Sequence, residues 1–285
     1  MPIRTLTKVL LSVGAVLVVG AGAAVIRVRG RGLTSFPYGR PPLDAAAYAA
    51  LAAKPGWRAV EVPAADSGLS MRGLLRPPRE AGRPWVLFFQ GNSHRLLAEG
   101  QEFLDALAGK EDVGLAVVSW RGFDGSPGDP DRDTLLADAR AQVRWLRGNG
   151  ADGAPLHLVG FSLGTMPAVV AALDTQNGPE ATRPRSLTLL APFTALQMCE
   201  EGRLRRWLTA EDWDLAPLLP AIRLPVLVVH GSADTTLPIE MGRAVARAIP
   251  GAHFVEVPGQ GHVPLMQDKQ ALAAIRARLL EQPKP

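Results

Sequence analysis

From residue 85 onward the chain is punctuated by short apolar runs: WVLFFQ (85–90), VGLAVVSW (113–120), APLHLVGF (154–161), SLTLLAPF (186–193), PVLVVHG (225–231) and HFVEVPG (253–259). Each is near-continuous Val, Leu and Phe rather than alternating apolar and polar. That pattern predicts strands covered on both faces. Helix-like segments fill the gaps, at 94–108, 131–148, 163–174, 238–249 and 264–281. Strand alternating with helix predicts an α/β fold, with a mostly parallel sheet and right-handed crossovers. Two earlier runs, 57–62 and 69–75, flank the turn sequence AADSG and predict a strand pair ahead of the alternation. No internal repeat interrupts this order, so residues 57–281 are expected to form one domain.

The first residues follow a different pattern. Arg4 and Lys8 precede an uncharged stretch from Val9 to Ile26, and Arg27, Arg29 and Arg31 follow it. As a helix this stretch would reach about 27 Å, close to the thickness of a bilayer core. Residues 1–31 therefore read as a membrane anchor or as a signal peptide, with Ala21-Gly22-Ala23 supplying the small-x-small form of a cleavage site. The length of the stretch and the arginines directly after it favour retention. A buried globular helix fits less well, because both flanks are charged. Lys and Arg are fewer before the span than after it, where Arg40 adds to the set, so the balance leans toward a cytoplasmic main domain. Residues 32–56 are rich in Pro and Ala and read as a linker with one short helix, Asp44–Ala53.

Composition narrows the function classes. With 47% hydrophobic residues the chain can bury a large core. A net charge of +4, without a long Lys/Arg run among aromatics, argues against a nucleic-acid partner. The single cysteine, Cys199, excludes an internal disulfide and reads as a small buried hydrophobe. The five histidines show no metal-binding spacing, so no metal site is expected.

The chemistry centres on Gly160-Phe161-Ser162-Leu163-Gly164, between a predicted strand and a predicted helix. A serine at so sharp a bend is lifted clear of the backbone, where it can act as a nucleophile. It then needs a base, and a third group to orient that base. Asp234, in HGSADTTLP, and His262, in PGQGH, each lie just past a later strand, in the chain order nucleophile, acid, base. An oxyanion formed at this site would be met by the backbone N–H of Leu163 and by that of Asn92, in the loop after WVLFFQ. The plainer readings are a turn serine, a helix cap at Asp234 for the helix starting near Pro238, and a loop histidine at His262. His94 lies near the mouth of such a site and is a candidate substrate contact. His157 and His253 read as structural, and His230 as a support for the Asp234 loop. Asp124 and Asp129, in WRGFDGSPGDP, read as turn residues.

The segments FFQGNSHR, VVSWRGFDGSPGDP, LVGFSLGT, LLAPFTAL, LPVLVVHGSADTTLP and VPGQGH resemble those of α/β-hydrolases, and within them the BEM46/ABHD13-type serine hydrolases. The resemblance implies an α/β-hydrolase fold with a mostly parallel eight-stranded sheet flanked by helices. It also implies catalytic residues Ser162, Asp234 and His262, oxyanion donors Asn92 and Leu163, and no cofactor. Gln90 departs from the histidine that commonly precedes the oxyanion glycine in that family. Only residues 194–224 are available for a cap, enough for one or two helices. In that segment Trp207 and Trp213, with Met198, Leu204 and Leu208, form either an apolar pocket wall or a cover for the sheet edge. Arg203, Arg205 and Arg206 read as a solvated face, or as an attraction for an anionic headgroup. The expected activity is hydrolysis of a small-molecule or lipid-like ester or thioester, next to a membrane. A serine peptidase and a catalytically silent binding protein on the same fold are the alternatives. The sequence assigns no oligomeric state.

Overall fold

The computed structural model describes residues 43–65, 68–93, 95–179, 182–196 and 213–281. The candidate anchor, most of the linker, His94, Cys199 and Trp207 lie outside the described residues, as do Met198, Leu204, Leu208 and the three cap arginines. Eight strands form one sheet: β1 (Arg58–Pro63), β2 (Ser70–Arg76), β3 (Trp85–Phe89), β4 (Gly114–Val118), β5 (Leu156–Phe161), β6 (Ser186–Leu190), β7 (Val226–Gly231) and β8 (His253–Val257). Their order across the sheet is β1-β2-β4-β3-β5-β6-β7-β8. β2 runs antiparallel to both β1 and β4, and every other pair is parallel.

Every residue of β3 to β7 is buried. The pleat sends neighbouring side chains to opposite faces. Trp85, Leu87 and Phe89 enter one core, while Val86 and Phe88 enter the other. Helices α3 (Arg132–Gly148), α4 (Thr165–Thr175) and α5 (Ile239–Ala248) supply the first core. Helices α2 (Leu96–Ala108) and α6 (Lys269–Leu280) supply the second. A continuous apolar run is therefore what a strand between two helix layers requires.

The short helix read as part of the linker is α1 (Ala45–Ala52), capped by the Asp44 side chain. It is seated on the domain rather than free of it. The Tyr48 hydroxyl donates to the carbonyls of Val60 (3.1 Å) and Gly73 (2.8 Å), and Gln101 Nε2 donates to the Leu51 carbonyl (2.9 Å).

Two predicted helices have composite starts. The helix expected at 163–174 opens with a 3-10 turn, Ser162–Gly164. That expected at 264–281 is a 3-10 turn, Pro264–Gln267, followed by α6, which Asp268 caps through the amides of Gln270 and Ala271. Asp124 does more than turn the chain. It has a φ of 46°, and its carboxylate accepts the Leu97 amide at 2.7 Å, capping α2, whose own N-cap residue makes no such bond.

His157, buried in β5, is bonded through Nδ1 to the Ser186 hydroxyl at 2.8 Å. Burial first, then Arg185 and Arg278, push its pKa down from 6.5 to about 4. Between those values the unfolded chain binds a proton that the native chain refuses, so stability falls as the pH falls through this window. The loss is expected to reach about 3 kcal/mol near pH 4. Urea unfolding at about pH 7 and about pH 4.5 measures it, and the drop should shrink in His157→Gln.

Candidate active site

Strand order reverses direction around β3, which has β4 on one side and β5 on the other. In open α/β sheets such a switch point leaves a crevice at the carboxyl ends of the strands. Ser162 sits there, directly after β5, with a φ of 52°. Left-handed backbone is costly for a residue with a side chain and is found mostly where function requires it. The bend is enforced by close packing. A Cβ on Gly164 would collide with the Phe89 carbonyl oxygen, and one on Gly160 would lie 2.6 Å from the Gly164 carbonyl oxygen. The start of α4 is thus pressed against the end of β3. The Thr165 hydroxyl donates to the Ser162 carbonyl at 2.6 Å and ties the turn from inside.

The Ser162 hydroxyl donates to His262 Nε2 at 2.9 Å, and His262 Nδ1–H donates to Asp234 Oδ2 at 2.7 Å. The three residues read from the sequence are therefore brought into one continuous relay. The loops after β7 and β8 are laced together to hold it. The Ser232 amide donates to the Val257 carbonyl at 3.0 Å, the Ala233 amide to the Gln260 carbonyl at 2.9 Å, and the Gly259 amide to the Ser232 hydroxyl at 2.8 Å. Gly231 lies so close to the facing loop that a Cβ would meet the Gln260 carbonyl oxygen. Phe161 packs against the His262 ring, with centroids 4.9 Å apart.

Asp234 is not the cap of α5, whose N-cap, Pro238, has no side-chain bond. Its Oδ1 accepts the amides of Thr236 (2.9 Å) and Leu237 (2.8 Å), folding its own loop around the carboxylate. His230, fully buried, donates from Nε2 to the Leu237 carbonyl at 2.9 Å and lies 3.4 Å from Asp234 Oδ2. Burial works against ionisation of Asp234. Hydrogen bonds from His230, His262 and the Leu237 amide together outweigh it and hold the carboxyl well below the usual carboxylate range.

A cavity of about 240 Å3 opens beside Ser162 and His262. Its apolar walls are Phe88, Leu96, Phe161, Val263 and Met266. Asn92, Ser93 and Glu99 bring polar groups to it, and Gln90 and Gly91 also line it. Gly91 lies against the elbow, since a Cβ there would be 3.2 Å from the Ser162 Cβ. Asn92, one residue on, is thereby placed at the cavity. Leu163 occupies the first turn after the elbow, where backbone amides have no intrahelical acceptor.

Trp213 corrects the sequence reading. It is 0% exposed and belongs to the core with Leu215, Leu219 and Ile222 rather than to the cavity wall. The Ala195–Asp214 bridge lies directly beside it in the chain. The walls come instead from β3, α2 and the turn after His262. Met266 and Val263 follow His262 in sequence, which is the signal that would have found them. Among the described residues no cluster of His, Cys, Asp or Glu has the makings of a metal site.

A family model described as TAP-like protein (Abhydrolase_4) matches residues 204–285. An uncharacterized protein of Mycobacterium tuberculosis (strain H37Rv) is 34% identical over 240 residues, covering 80% of each chain. The lysophosphatidylserine lipase ABHD12 of Danio rerio is 25% identical over 183 residues, covering 58% of this chain and 47% of that protein. A thermophilic esterase from Thermogutta terrifontis, solved with malate bound, superposes with a TM-score of 0.59 at 22% identity, covering 78% of this chain and 98% of the esterase. The last likeness is one of fold.

Proposed function

The chain belongs to the α/β-hydrolase superfamily, and on that premise we propose that it is a serine hydrolase cleaving carboxylic ester or thioester bonds through an acyl-enzyme on Ser162. The observation that carries this reading is the Ser162–His262–Asp234 relay, with contacts of 2.9 and 2.7 Å, opening on a cavity. As Ser162 Oγ attacks the carbonyl carbon, His262 Nε2 takes the hydroxyl proton. Asp234 keeps the imidazole in the tautomer whose Nε2 faces the serine, and stabilises the imidazolium. The oxyanion is met by the amides of Leu163 and Asn92, each such donor being worth about 3–4 kcal/mol to the transition state. The tetrahedral intermediate collapses, and His262 returns the proton to the departing alcohol or thiol. Water then repeats the cycle on the acyl-enzyme and frees the acid. Because the Asp234 carboxyl is held so far down, its protonation is not expected to limit activity on mild acidification.

A panel of p-nitrophenyl esters and acyl thioesters of increasing chain length, set against aminoacyl-anilides, tests the bond specificity. Esters or thioesters are expected to be the better substrates. A preference for the anilides would replace this reading with that of a serine peptidase.

We propose in addition that residues 9–26 tether the domain to a membrane, on the strength of their uncharged length between basic flanks. Among the described residues no helix is long and apolar enough to cross one. Release of the full chain from membranes by a high-pH carbonate wash would rule the tether out.

A further inference from the structure

Phe161 ends β5 and directly precedes the nucleophile. It is 6% exposed and belongs to the core that also takes Leu265 and Met266 from the turn after His262. Gly91 and His262 hold its ring in place. The Cδ1–Cε1 edge lies against Gly91, where an added Cβ would stand 3.1 Å from Cδ1 and 3.3 Å from Cε1. The His262 ring lies across from it, with centroids 4.9 Å apart and planes inclined by 37°. An edge-to-face pair would be close to perpendicular, so these rings meet more nearly face to face. The His262 side chain is only 12% exposed, so the contact is largely shielded from solvent.

The relay requires His262 to change charge. It is neutral before attack and an imidazolium while the tetrahedral intermediate stands. Asp234 faces its Nδ1 at 2.7 Å, with His230 behind the carboxylate, and Ser162 faces its Nε2 at 2.9 Å. Glu99 lies on the wall of the same cavity. Phe161 is the group that lies against the ring itself. A cation within about 6 Å of an aromatic face is attracted by the partial negative charge of that face, and more strongly where water is excluded. We propose that Phe161 is a positioning residue of the relay, and that its ring face favours the imidazolium form of His262 in addition to holding the ring. The effect on rate rests on the hydrolase reading above; the effect on His262 does not. An aliphatic side chain in this place would fill the space and offer no such face. The neutral ring gains little from Phe161 and the charged ring gains more, so the contact acts mainly in the transition state.

Phe161→Leu is expected to lower kcat on a p-nitrophenyl ester about three- to thirtyfold, with KM nearly unchanged. Lost packing would also lower kcat, so replacement of Phe161 by mono-, di- and trifluorophenylalanine decides between the two. Fluorine drains negative charge from the ring face and alters the shape of the ring little. Along this series kcat should fall stepwise, with little change in Tm. Proton NMR of the His262 ring in the same proteins should show its titration moving stepwise to lower pH. In a protein that cleaves esters, a flat series in either readout would overturn the proposal, whatever Phe161→Leu does. A titration that moves along the series in a protein whose parent cleaves no ester would leave the Phe161 assignment standing and the hydrolase reading refuted. A titration that stays in place there would refute both.

Discussion

Ester hydrolysis by the Ser162→Ala protein is expected to fall by about four to six orders of magnitude in kcat, with the Tm nearly unchanged. The hydroxyl is the only part of residue 162 that forms the acyl-enzyme, and alanine keeps the same backbone demand at a φ of 52°. A relay that acts as a unit loses almost everything when any one part of its core goes. His262→Ala should therefore cost about as much as Ser162→Ala, and the double variant little more. Asp234→Asn should lower kcat by about 10^4, because an amide no longer selects the tautomer that points Nε2 at the serine. Steady-state kinetics on one ester across the four proteins checks the pattern. Independent, additive losses at Ser162 and His262 would mean that the two do not act together.

The largest expected effect on stability lies outside the cavity. Arg121 and Asp138 form a two-pronged ion pair, with Nε to Oδ2 at 2.7 Å and Nη2 to Oδ1 at 2.6 Å, at 5% and 0% side-chain exposure. Asp138 Oδ1 also accepts the Ala65 amide at 2.9 Å, so one carboxylate joins α3, the loop after β4 and the β1–β2 turn. Removing it takes a fully buried counter-charge away from the guanidinium and an acceptor away from the Ala65 amide. Asp138→Ala is expected to destabilise the fold by about 3–5 kcal/mol and lower the Tm by about 10 °C. Replacing both members by apolar residues of similar volume, as in Arg121→Met with Asp138→Leu, should recover much of the loss. Urea unfolding of the single and double variants measures the coupling. A loss below about 1 kcal/mol in Asp138→Ala would show that the pair behaves as an exposed one.

The contrast between these two predictions shows what could be read from the chain. The strands were legible because a strand between two helix layers has no polar face, and such runs stand out wherever they occur. The Ser162–His262–Asp234 set was legible because each member follows such a run within a few residues, and a parallel sheet carries all those strand ends to one edge. Strand ends were less legible. WVLFFQ reads as one run, but the strand stops at Phe89 and Gln90 lies past its end, buried. SLTLLAPF reads as one run, but the strand stops at Leu190, and Ala191 takes a φ of 43°. Tertiary polar contacts left no local trace at all. Arg121 and Asp138 look like ordinary surface charges in a loop and on a helix, and the carboxylate of Asp124 caps a helix that begins far back in the chain. Trp213 reads as well for a pocket wall as for a cover of the sheet edge, and only its burial in the folded core decides. Gln90 drew notice as a departure from the family pattern, but its burial at the end of β3 belongs to the folded protein alone.

The central claim is that Ser162 is a nucleophile activated by His262. Its most direct test is labelling of the intact, folded protein with a fluorophosphonate probe, followed by peptide mass spectrometry. The account predicts one adduct, on the peptide containing Ser162, lost in Ser162→Ala and strongly slowed in His262→Ala. No adduct on folded protein, or an adduct that persists undiminished in Ser162→Ala, would contradict it.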